Sequence, residues 1–179
     1  DLQQAAEAQF AAPPLLNQLL LKGDLDGVLN YWHFAAKLQA KGARELIAMP
    51  EVLSGLGIAS ELPLIGWVFG EAWAQQHPKA IQGFLAASYQ TKAILRRDDG
   101  AWDALRARMK APEDAVFTAL REAFRAGIPH CLDAGHREAA SRAFAVFSQY
   151  GGSAMLGGLT ELDQALFWNG SPPEGCVPR

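Results

Sequence analysis

The chain has 179 residues, half of them hydrophobic and a fifth charged, which is enough apolar material for one packed core or two unequal lobes and excludes a disordered chain. Its 16 basic residues are outnumbered by 19 acidic ones, so a net charge of −3 supplies no general attraction to a phosphate backbone and argues against nucleic-acid binding. No apolar run approaches the roughly 20 residues that cross a bilayer.

In chain order, Pro13 and Pro14 open a helix over Leu15 to Lys22, because the first turn does not need the missing N–H, and Gly23 stops it. Asp26-Gly27 supplies turn chemistry before a short buried strand, Gly27 to Trp32, and Phe34 to Ala40 returns to helical spacing that Gly42 closes. Arg44 to Met49 reads as another strand, Pro50 to Leu56 as a short helix and Leu62 to Phe69 as a strongly apolar strand. The remainder is helical: one helix from Pro78 to the Arg96–Gly100 cluster, a shorter one from Trp102 to Met109, and one after Pro112 with the stripe Val116, Leu120, Phe124. A last helix runs from about Arg137 to Gln149 and ends at Gly151-Gly152. The tail from Asn169 to Arg179 is rich in Gly and Pro and is expected to be irregular. The fold class these elements predict is α/β, with short sheet strands followed by a mostly helical C-terminal half.

The segment GDLDGVLNYWHFAAKL, Gly23 to Leu38, sets an amide, a phenol, an indole and an imidazole consecutively at a strand end. Open sheets bind ligands there, beside the free N–H groups of the following helix, and alternate residues of Asn30, Tyr31, Trp32 and His33 would face core and cleft. The same pattern also suits Tyr31 and Trp32 as core residues with His33 starting a helix. Trp67, beside Gly66 in the later strand, faces either the cleft or the core.

Catalytic signatures are missing from the sequence: there is no GxSxG elbow, no GxxxxGK[ST] loop, no HExxH and no GxGxxG after a strand. Of His33, His77, His130 and His136, only His130 adjoins a thiol, Cys131, and sequence neighbours usually diverge. Glu113, Asp114, Glu122 and Asp133 sit among Arg121 and Arg125 and read as an ion-paired solvated face. Cys131 and Cys176 lack zinc spacing, so no metal is expected; they form either a tail-tethering disulfide or two separate thiols. Asp1 is not followed by a basic-plus-apolar leader, so a secretory signal was either removed or never present.

The order APPLLNQLLLKGDLDGVLNYWHFAAKL, then ARELIA, then an apolar strand leading to EAWAQQHPKAIQGFLAASYQTKAI, resembles the periplasmic solute-binding proteins of nitrate/sulfonate/taurine-type ABC importers. Gly23, Leu25, Asp26, Tyr31, Trp32, Pro78, Phe84, Leu85 and Ala86 stand at the places that carry the likeness, which covers most of residues 11 to 95. The resemblance implies a two-lobed clamp closing on a small polar or aromatic solute and offering it to a membrane permease, with no catalysis and no cofactor. It further implies that residues 1–42 end the second ligand-binding lobe, that 43–168 return to the first lobe with trailing helices, and that 169–179 form a tail. Asn30, Tyr31, Trp32, His33 and Trp67 are then the expected ligand contacts. The family's N-terminal lobe has no counterpart here, so the chain is expected to be the C-terminal portion of such a protein, or to cover the vacant surface with a partner or a second copy. A helical interaction or structural module is the alternative reading.

Overall fold

The structure, a computed structural model, describes residues 5–58, 62, 65–129 and 132–170. Its helices are α1 (Pro13–Lys22), α2 (Trp32–Gln39), α3 (Met49–Gly55), α4 (Glu71–Gln76), α5 (Pro78–Arg97), α6 (Asp99–Asp103), α7 (Arg106–Met109), α8 (Asp114–Ala126) and α9 (Ala134–Met155), followed by a 3₁₀ turn at Gln164–Leu166. Contacts divide the chain into two units, Asp1–Leu46 with Asp99–Gly127, and Ile47–Asp98 with Ile128–Arg179.

The α/β expectation is overturned: among the described residues there is no strand or sheet. Of the three segments expected as strands, Gly27–Trp32 is irregular until Trp32 enters α2, Arg44–Met49 runs into α3, and Ile65–Phe69 stays irregular, with Pro63 and Leu64 outside the described residues. An apolar run records a preference for burial, whereas a strand also needs a second segment in register to take its N–H and C=O groups. That burial is not realised here, since Leu29 is 92%, Ile65 87% and Val68 98% exposed.

In the first unit, α1 starts on Pro13 and Pro14 and ends at Gly23, whose φ of 83° lets its N–H reach Leu20 O and that of Asp24 reach Leu19 O. An L side chain resists that left-handed turn, so glycine is the residue that closes the helix. Helix α2 packs on α1 and on α8. Of the predicted stripe on α8, Val116 and Leu120 are buried and Phe124 is half-buried, with Phe117 buried beside them, as are Ala36 and Leu38 of α2 and Trp102 of α6. Trp102 meets Phe124 edge-on at 5.3 Å.

In the second unit the core is small: Leu53 and Ile58 pack on Ala139 and Ala143 of α9, with Leu62 and Val146 against them. Glu51 accepts from Ala48 N at 2.7 Å and so caps the start of α3. Arg142 donates to Gly57 O at 3.1 Å, tying the turn after α3 to α9. Helix α5 is long but buries only Ile81, so its 20 residues are mostly solvated. At the Gly151-Gly152 pair, where the sequence suggested a stop, the regular helix breaks: Gly152 has φ 73° and ψ 168°, and a further short helical stretch runs from this kink to Met155.

Candidate ligand-binding site

The predicted residues Asn30 to His33 lie in the first unit, at the entry to α2. Asn30 is engaged internally. Its Nδ2 donates to Pro13 O at 3.0 Å and to Asn17 Oδ1 at 2.9 Å, and its Oδ1 accepts from Tyr31 N at 2.9 Å. Asn17 Nδ2 in turn donates to Phe34 O at 2.9 Å. The two amides therefore staple α1 to the first turn of α2 and leave no free hydrogen on the Asn30 amide for a ligand.

Because α2 begins at Trp32, Tyr31 to His33 do not alternate across a sheet; successive side chains fan around a helix start. Tyr31 is 66% and Trp32 48% exposed, and His33 is half-buried between them. The His33 ring lies parallel to Tyr31 at 6.1 Å, meets Trp32 edge-on at 5.4 Å and tilts against Phe34 at 4.4 Å. Trp32 also meets Phe124 at 6.1 Å, and Phe124 rests on buried Trp102. An aromatic cluster thus runs from the core of the first unit to an exposed tip, offering two apolar ring surfaces with a phenol and an imidazole.

Trp67 belongs to the second unit, where its Nε1 donates to Ser88 Oγ at 3.0 Å and its ring meets Phe84 edge-on at 5.0 Å. It is 59% exposed and lies on the surface of α5.

Of the carboxylates named from sequence, Asp114 and Glu122 are paired with arginines. Asp114 meets Arg106, and Glu122 meets Arg121 and Arg125, which also hold Asp99 at 3.4 and 2.5 Å. The Arg125 hydrogen bond, with the charges of Arg121 and Arg125, holds the Asp99 carboxyl below the usual aspartate range. His77 lies stacked on Trp73 at 4.8 Å, with Nδ1 2.9 Å from Trp73 O. Glu113 forms no ion pair among the described residues and lines a cleft of the first unit together with Lys37, Lys41 and Lys110.

A histidine–carboxylate pair escaped the sequence reading. Asp133 Oδ1 lies 2.7 Å from His136 Nδ1 and accepts from His136 N at 3.1 Å, a cap on the start of α9. The hydrogen bond from the His136 side chain keeps the Asp133 carboxyl low. Its signal was the Asp-x-x-His spacing just ahead of a helix, the capping-box interval with imidazole in place of Glu. His136 is 8% exposed, and its buried Nε2 has no hydrogen-bond partner among the described residues. His130, Cys131 and Cys176 lie outside the described residues, and with them the disulfide alternatives. Among the described residues, no group of three His, Cys, Asp or Glu side chains is placed to hold a metal ion, and no helix is long and apolar enough to cross a membrane.

No protein-family model and no curated protein matches the sequence.

Proposed function

We propose that this chain is a non-catalytic, exported solute-binding component of an ABC-type importer, which holds a small polar or aromatic molecule and offers it to a membrane permease. The observation that carries the reading is the exposed aromatic tip of Tyr31, Trp32 and His33 at the place where the sequence likeness puts ligand contacts. The reading invokes no sheet. Tyr31 and Trp32 act as stacking faces, rooted through Phe124 and Trp102, and His33 donates or accepts one hydrogen bond. Asn30 acts as the staple that positions them.

Thermal-shift screening of the chain against nitrate, taurine, benzenesulfonate and pyrimidines tests this. One ligand class should raise the melting temperature, be recovered unchanged after incubation, and lose its effect in Tyr31→Ala. No stabilisation by any class, or turnover of the stabilising compound, would overturn it.

A second reading, an interaction module, is favoured by the exposure of Leu29 in the first unit and of Ile65 and Val68 in the second. Light scattering across a hundredfold concentration range, read beside the thermal-shift screen, separates the two: self-association without stabilisation by any solute class favours the module, and stabilisation by one class favours the binding component.

A further inference from the structure

A second feature of the first unit has a built form and a clear charge preference. A cleft of about 290 Å³ lies between α1, α2 and the segment leading into α8. Leu21, Phe34 and Val116 provide apolar lining, and Lys37, Lys41 and Lys110 stand on it against one carboxylate, Glu113. None of the three lysines forms an ion pair among the described residues. Lys37 is on α2 and Lys41 in the turn that follows it, and the Lys37 ammonium lies 5.7 Å from the centre of the Phe34 ring.

Both walls are braced before any ligand arrives. On one side Asn17, itself lining the cleft, ties α1 to Phe34 O. On the other, Arg106 donates to Ala111 O at 3.1 Å and Pro112 O at 2.6 Å, pairs with Asp114, and lies 4.8 Å from the Phe117 ring. Lys110 sits at the turn between Arg106 and this braced segment with φ 51° and ψ 47°, a left-handed conformation uncommon for a side-chain-bearing residue. A cleft whose walls are already ordered does not spend binding energy on ordering them.

We propose that this cleft is a binding site for a small organic anion, a carboxylate or sulfonate with a short apolar body, whose charge meets Lys37, Lys41 and Lys110 while its body lies on Phe34, Leu21 and Val116. Its volume of about 290 Å³ has room for a small organic anion of this kind. The site is distinct from the aromatic tip, because Tyr31, Trp32 and His33 do not line it, and it stands whether or not the transport reading holds.

The test is amide-resolved NMR titration of the chain at low salt with butane-1-sulfonate, against butan-1-ol and butylammonium at equal concentration. Shifts should centre on Phe34, Lys37, Lys41 and Lys110 for the sulfonate alone, and affinity should fall as salt rises. Lys37→Gln, Lys41→Gln and Lys110→Gly should each weaken binding about two- to fivefold. Lys110→Gly suits the left-handed backbone, so its loss of affinity is not a loss of folding. Tyr31→Ala, which disables the proposed solute site, should leave sulfonate binding within twofold. Equal binding of the alcohol, no binding of the sulfonate, a triple variant as tight as the parent, or shifts centred on Tyr31 to His33 would each overturn the proposal.

Discussion

Replacing Asn30 separates a structural amide from a ligand-facing one. In Asn30→Ala, Pro13 O and Asn17 Oδ1 each lose a donor and Tyr31 N loses its acceptor, three contacts of 2.9–3.0 Å of which the first two are half-buried and the third exposed. At roughly 0.5–1.5 kcal/mol net for each hydrogen bond, and with water partly replacing them, the loss is about 2 kcal/mol. For a chain of this size that corresponds to about 4–8 °C in melting temperature. Asn30→Asp sharpens the case. It keeps the acceptor for Tyr31 N but turns a carboxylate toward two oxygens, Pro13 O and Asn17 Oδ1, so at neutral pH it should be less stable than Asn30→Ala. The folded state then favours the protonated acid and raises that carboxyl's pKa, so the deficit should shrink as pH falls into the carboxylate range. Thermal unfolding followed by circular dichroism, with hydrogen exchange at Tyr31 N, reads both effects. An Asn30→Ala melting temperature within about 1 °C of the parent would refute the staple. So would an Asn30→Asp variant as stable as the parent at neutral pH.

Leu53→Ala removes one of the two large side chains from the small core formed with Ile58, Ala139 and Ala143, and should cost about 2–3 kcal/mol in urea unfolding of the second unit. Gly152 has φ 73° and ψ 168°, a region reserved for glycine, so Gly152→Ala should destabilise by about 1–3 kcal/mol or straighten the kink, seen as slower exchange through the end of α9. Asp99 has its carboxyl lowered by the Arg125 hydrogen bond and by the charges of Arg121 and Arg125. Its contribution is therefore present above the ordinary aspartate value of 3.8 and is lost as pH falls through the lower folded value. Melting curves of the parent should drop more steeply below pH 3.8 than those of Asp99→Asn, and parallel curves would contradict the pairing.

Much of the helical organisation was legible in the sequence because its signals are local. Pro13-Pro14 and Gly23 bracket α1, Pro78 opens α5, and the four-residue spacing of Val116, Leu120 and Phe124 describes α8, each through interactions within a few residues of chain. The strand assignments at Gly27–Trp32, Arg44–Met49 and Leu62–Phe69 failed for the opposite reason. An apolar stretch carries no information about whether another segment lies beside it in register, and strand pairing is decided only by that neighbour. Starting α2 at Trp32 rather than Phe34 then changed which way Tyr31, Trp32 and His33 point.

The sequence by itself determined the position of several helices, the pairing of Asp114 and Glu122 with nearby arginines, and the aromatic run at the start of α2. Only the tertiary structure decided that Asn30 pairs with Asn17 across thirteen residues and that Lys110 joins Lys37 and Lys41 on one cleft. Those meetings depend on how helices far apart in the chain pack on one another, a matter of apolar faces closing together that no local spacing records.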